Sequence, residues 1–214
     1  MVFSLRSSRE QYKSLKESKL VQYENQQEPT RSLPFQTLIE RLPKERKLKI
    51  VVFAAARESL FRFFSEEHPC QIWFYPLDRF LNEIPRCAED ELVHEWSDRV
   101  FSDFPTESAD AVLAWDTLNY FDSEFLQALS LKIHGVQAKP CYLLASLSTR
   151  PKLPEHPLIV DVIDREHLRY SGWENIERKN ELISLRELSE YFPGSKNLRS
   201  GLLRNGLQEV LFEL

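Results

Sequence analysis

Apolar and polar positions fall in blocks along the chain, and the period changes from block to block. "LKIVVFA", from residue 48, is a β-branched run, apolar but for Lys49. That is the pattern of a strand buried on both faces. "ESLFRFFSEE" follows, with Leu60, Phe61, Phe63 and Phe64 on a broad apolar stripe of helical period. The alternation continues with strand "CQIWFY", short helix "LDRFLNEI" and helix "AEDELVHEWSDRVF". Strand "DAVLAW", helix "SEFLQALSLKI" and strand "PCYLLASL" come next, with Ser123 a candidate N-cap and Gly135 a candidate stop.

The flanks differ. "LPFQTLIERLPKERK" places Phe35, Leu38 and Ile39 on one helical face, and Pro43 ends it. Beyond the alternating region, "LIVDVI" reads as a strand or extended segment, and residues 164–183 as polar and irregular, anchored by Trp173. "SLRELSEYFP" is a helix opened by a Ser184–Glu187 capping box. "NLRSGLLRNGLQEVLFEL" holds two strand-like runs around Asn205-Gly206, a strong hairpin signal. Strand and helix in alternation imply a mostly parallel sheet with helices on both faces, and the hairpin adds antiparallel strands at one edge.

Composition narrows the class. With 42% apolar and 29% charged residues, the 214-residue chain is that of a globular protein. No run approaches the roughly 20 apolar residues of a membrane span, and the N-terminus lacks a secretory h-region, so a cytoplasmic location is the expectation. Cys70, Cys87 and Cys141 are odd in number, widely spaced and without a CxxC pair. They indicate neither a disulfide framework nor a zinc ribbon, and Cys70 and Cys141 are expected as core residues. No histidine forms an HxH or HxxxH pair, and "DREH" (164–167) suits a solvated turn, so no metal site is assigned.

Charge is uneven. The net charge is −5, yet residues 1–50 carry 11 Lys/Arg against 6 Asp/Glu. The acidic remainder argues against nucleic-acid binding. Residues 1–33 read as a flexible basic arm with one short helix near 10–23, and residues 34–214 as a single α/β domain.

Three segments carry a resemblance. The strand–turn–helix at 49–64, the strand "DAVLAWDTLNYF" and the hairpin ending "GLQEVLFEL" together resemble a class I S-adenosylmethionine-dependent methyltransferase. The resemblance covers roughly residues 48–214. It implies a Rossmann-like doubly wound sheet of about seven strands, mostly parallel, whose last strand is antiparallel and inserted through the hairpin. It also implies S-adenosylmethionine as cofactor.

The family's glycine-rich turn corresponds here to Phe53, Ala54, Ala55, Ala56 and Arg57. All five glycines lie at or after Gly135. Glycine gives such a turn positive φ and lets a ligand approach the backbone; alanine meets the second need in part. The family's ribose-binding acid corresponds to Tyr75, and Asp78 follows a few residues late. A phenol cannot accept two bonds as a carboxylate does. Bulky aromatics around the first two strands are a means of filling the cofactor's space. Arg57-Glu58 opens the first helix, where free N–H groups attract an anion and Glu58 opposes one. Asp116, Asn119 and Tyr120 follow the "DAVLAW" strand and form the best-placed polar cluster for a retained site. The alternative is that Asp116 caps the next segment and Tyr120 packs in the core.

Three functions are consistent with these residues. One is a methyltransferase-like pseudoenzyme that has lost S-adenosylmethionine and acts as a protein-binding or regulatory module. The second is an active methyltransferase with an atypical pocket in which Asp116 or Tyr120 orients the acceptor. The third is a self-assembling scaffold that uses the N-terminal arm.

Overall fold

A computed structural model of the chain describes residues 28–81, 100–173 and 176–214. Residues 88–99 of the helix expected over 88–101, most of the basic arm and its short helix, and Cys87 lie outside the described residues.

The central sheet is built from β2 (Leu48–Val52), β3 (Cys70–Phe74), β4 (Ala109–Trp115), β5 (Gln137–Ser148), β10 (Lys196–Leu202) and β11 (Leu207–Glu213). Their spatial order is β10-β11-β5-β4-β2-β3, six strands against the seven or so expected. β2 runs parallel to both β3 and β4, and β4 is parallel to β5. β11 is antiparallel to β5 and to β10. Every residue of β4 is buried, which explains its apolar run from Ala111 to Trp115. Its only charged residue, Asp110, accepts the Lys49 backbone N–H at 2.9 Å and the Arg46 guanidinium.

Helices cover both faces. α1 (Leu33–Arg41) and α2 (Glu58–Glu67) pack with Ile50, Val52, Leu113 and Leu144 on one face. α3 (Ser123–Val136) and α4 (Leu185–Tyr191) pack with Val51, Val112, Ala114 and Leu143 on the other. This is the doubly wound α/β class read from the sequence, closed by an antiparallel C-terminal strand. Asp122, not Ser123, caps α3 by accepting the Phe125 N–H, and the helix passes through Gly135 to Val136. The Ser184–Glu187 capping box forms as read. In α2, Leu60 and Phe64 are buried, whereas Phe61 is 55% exposed, so the apolar stripe is narrower than the sequence suggests.

Residues 149–183 build a cap over the sheet's end. β6 (Lys152–Pro154) pairs with β9 (Ile176–Lys179). β7 (Ile159–Val162) pairs with β8 (His167–Ser171), which also pairs with β1 (Thr30–Arg31). The segment read as irregular thus contains two short strands. β8 buries only Leu168 and Tyr170 in alternation, too little for a hydropathy signal. The sequence pattern starts the domain at residue 34; here Thr30 and Arg31 pair with β8, and Ser32 caps α1. Ser32 also donates to Glu209 at 2.6 Å, while Tyr170 donates to the other oxygen of that buried carboxylate.

The hairpin turns at Asn205-Gly206, where only Gly206 has positive φ, +83°. Leu203 and Leu207 close the loop, and Gly206 N–H donates to the Leu203 carbonyl at 3.1 Å. This is a longer loop with a left-handed glycine rather than a two-residue turn.

Candidate functional site

The sheet's switch point lies between β2 and β4, because the chain leaves β2 toward β3 on one side and leaves β4 toward β5 on the other. Open α/β sheets bind ligands at the carboxyl ends of their strands at such a point. A cavity of about 480 Å³ lies there. The sheet contributes Val52, Phe53, Ala54 and Ala55 after β2, and Trp115 and Thr117 at the end of β4. The cap contributes residues 154–160 and Gly172.

The alanine turn is compatible with this opening. Among the described non-glycine residues only Trp115 (φ 49°) and Leu182 (φ 42°) have positive φ, so none of 54–56 needs glycine. The turn is held from both sides: Phe53 N–H donates to the Leu113 carbonyl at 2.9 Å, and the Thr117 hydroxyl donates to the Phe53 carbonyl at 2.9 Å. The space above Ala54 and Ala55 is therefore open, and aromatic side chains do not fill it.

The residues singled out in the sequence divide into two groups. Ala54, Ala55 and Arg57 line the cavity, whereas Ala56 is exposed in the turn outside the lining. Arg57 is the N-cap residue of α2, without a side-chain cap bond. Its guanidinium pairs with Asp161 at 3.0 and 3.2 Å from Nη2, and Ser59 donates to the same carboxylate at 2.7 Å. Tyr75 lies in the core, its ring edge-on to Phe104 at 5.4 Å, with the Arg79 guanidinium 5.3 Å from the ring centre. Burial pushes the Tyr75 phenol up, against the opposing pull of Arg79. Its hydroxyl has no hydrogen-bond partner among the described residues.

Asp116, Asn119 and Tyr120 lie outside the cavity's lining and form a bracket between the end of β4 and its neighbours. Both Asp116 oxygens accept the Leu158 N–H, at 3.0 and 3.2 Å. Tyr120 donates to the His156 carbonyl at 2.8 Å. Asn119 donates to the carbonyls of Asp116 and Ser146 and accepts the Ser148 N–H. After a β-bulge between Leu113 and Trp115, with the left-handed Trp115, Asp116 and Tyr120 reach the cap while Asn119 bonds to the end of β5. Burial pushes the Asp116 carboxyl up to about 7, although its N–H donors pull the other way. Burial and the neighbouring Asp116 carboxyl raise the Tyr120 phenol.

Asp78 belongs to the site more directly than its late position in the sequence suggests. It sits in a 3₁₀ turn after β3 and lines the cavity, and its Oδ1 is buried without a partner among the described residues. Glu155, His156 and Thr117 also line the cavity and carried no signal in the sequence, because the cap closes over the sheet through long-range pairing. No cluster of potential metal ligands occurs among the described residues. No helix among them is long and apolar enough to cross a membrane.

The strand order, with antiparallel β11 between β5 and β10, gives a Rossmann-like, methyltransferase-like fold. No family model and no curated protein sequence matches the chain. Solved structures similar in fold include the glycopeptide N-methyltransferase MtfA complexed with S-adenosyl-L-homocysteine, at 13% identity, covering 84% of this chain and 88% of that one, TM-score 0.45. An S-adenosylmethionine-dependent methyltransferase from Mesorhizobium loti is 12% identical over 83% of this chain and 96% of that one, TM-score 0.47. The mycolic acid cyclopropane synthase CmaA1, complexed with S-adenosylhomocysteine and CTAB, is 7% identical over 84% and 82%, TM-score 0.48.

Proposed function

We propose that the cavity binds S-adenosylmethionine through an atypical contact set, and that the protein is a methyltransferase whose acceptor enters beside the cap. The observation that carries this reading is the open space above Ala54 and Ala55 with Asp78 in its lining, one oxygen of that carboxylate being buried and unpartnered among the described residues. A buried acceptor left without a donor costs about 1–3 kcal/mol, and a ribose hydroxyl supplies such a donor. The volume falls within the range of roughly 300–1,000 Å³ usual for small-molecule sites. Val52, Leu60, Leu158 and Val160 offer apolar walls to a base or a thioether chain. The N-terminal end of α2, where Arg57 and Leu60 line the cavity, suits the carboxylate of the amino-acid end through the helix dipole, with Glu58 weakening that contact.

When bound, S-adenosylmethionine supplies a methyl group on a positively charged sulfur. The chain's own contribution is positional: the Asp116 and Tyr120 bracket holds residues 156–158 against the cavity, and Thr117 holds the alanine turn.

The competing reading is a protein-binding or regulatory module that no longer holds the cofactor. It is favoured by Arg57, whose charge is already matched by Asp161, and by the Cβ atoms at a turn where the family pattern has glycine. Calorimetric titration with S-adenosylmethionine and S-adenosylhomocysteine separates the two. Micromolar binding that weakens about tenfold or more in Asp78→Ala is expected. No binding at millimolar ligand by a folded protein leaves the cofactor-free module as the reading.

A further inference from the structure

Residues 154–160 close the cavity on the cap side, and two bonds suspend them from the end of β4. One is the Leu158 N–H held by both Asp116 oxygens; the other is the His156 carbonyl held by the Tyr120 hydroxyl at 2.8 Å. Pro154 and Pro157 have no N–H, and Ile159 and Val160 are held in β7 against β8, so between Glu155 and Leu158 these two bonds are the ties to the end of β4. Asp116 is 2% exposed, and none of the described Lys, Arg or His residues is paired with it. An ionised carboxylate has about four acceptor sites and loses its hydration when buried. Here its donors are the Leu158 N–H and its own backbone N–H.

The groups around it offer no compensating positive charge. Tyr120 from the same turn and Tyr170 from β8 face it as phenols, both raised first by their own burial. Glu209 of β11 lies beyond Tyr170 and bonds to it, adding negative charge when ionised. Arg178 of β9 lies 5.5 Å from the Tyr120 ring centre and donates to the Tyr120 carbonyl. On the cap itself Glu155 and His156 are exposed, and Asp161 of β7 is matched by Arg57.

We propose that Asp116 is a protonation-dependent latch on the roof of the cavity. With the carboxyl neutral, the tie to Leu158 holds and the roof is closed. With the carboxyl ionised, the segment around Leu158 releases and water solvates the charge. In the released state the carboxyl is hydrated and titrates near the ordinary value of about 4. The closed state keeps the proton to higher pH, so raising the pH through neutrality shifts the equilibrium toward release. The latch governs access to whatever occupies the cavity and does not depend on that occupant being S-adenosylmethionine.

Hydrogen exchange at the Leu158 amide reads the latch directly, in the full chain and without ligand. Protection, expressed relative to the chemical exchange rate, is expected to fall about tenfold or more between about pH 5.5 and 8.5 in the wild type. Asp116→Asn keeps an acceptor oxygen but cannot ionise, and its protection is expected to be flat with pH. Tyr120→Phe is expected to lower protection at every pH and leave the slope intact. Wild-type protection independent of pH, or an equal slope in Asp116→Asn, overturns the proposal. If Asp116→Asn does not fold, a carboxyl-carbon NMR titration of the wild type decides. A midpoint near neutrality shared with the Leu158 amide shift is expected, and a midpoint near the ordinary carboxylate value overturns the latch.

Discussion

The Asn119 side-chain oxygen accepts the Ser148 backbone N–H at 2.8 Å, joining the end of β4 to the end of β5. Its NH₂ group donates to the Asp116 carbonyl at 2.6 Å and the Ser146 carbonyl at 2.8 Å. Both ends of this buried amide are thus bonded within the protein. Asn119→Asp keeps the shape but turns an oxygen toward two carbonyls. A loss of about 3 kcal/mol or more in urea unfolding is expected. A loss below about 1 kcal/mol would show that the bracket contributes little.

Ala55 is exposed and lines the cavity, so a larger side chain there meets the opening rather than the core. Ala55→Trp is expected to leave the melting temperature within a few degrees of wild type and to weaken S-adenosylmethionine binding about tenfold or more. Unchanged affinity in calorimetry would place the ligand elsewhere or exclude it.

Stability should depend on pH in a stated direction. Burial raises the carboxyls of Asp116, to about 7, and of Glu209. A group with a raised folded-state value favours the folded state fully below its unfolded value and loses that contribution as pH rises to the folded value. Through Asp116, urea stability should therefore decline from about pH 4 toward pH 7, with a slope on the order of 1 kcal/mol for each pH unit, and Glu209 acts in the same direction. Glu67, Asp164 and Glu187 are lowered and act in the opposite sense at lower pH, but they are near the surface and weak. Asp116→Asn should flatten the decline; an identical pH profile in that variant would contradict the assignment.

Gly206 and Gly201 form a matched pair for testing the hairpin. Gly206 has φ +83°, and an added Cβ would lie 2.9 Å from Nε of Arg150. Gly206→Ala is expected to cost about 1–2 kcal/mol. Gly201 in β10 has open space around it and no positive φ, so Gly201→Ala should be neutral or stabilising by up to about 1 kcal/mol. Equal melting temperatures for the two variants would remove the left-handed turn from the explanation.

Much of this fold is legible in the amino-acid pattern. Apolar runs at 48–53 and 110–115 are strands because burial on both faces leaves no polar face to alternate. Ser184 and Glu187 announce a helix start through their own local bonds. Local chemistry of this kind does not depend on partners far along the chain. β1, β8 and β9 are not legible in the same way, because each is only two to five residues long. Their pairing depends on partners that the local pattern does not specify, as when Thr30 meets Leu168 across most of the chain.

The site divides along the same line. The sequence by itself determined the α/β alternation, the alanine turn at the end of β2 and the polar cluster after β4. Only the tertiary structure decided that the space above Ala54 and Ala55 is open, that Asp78 lines it, and that Asp116 and Tyr120 hold the cap rather than line the cavity. The reason is physical. A side chain's residue type fixes what it can bond, but cavity and contact are set by which distant segments fold over it, and here that segment is the cap of residues 149–183.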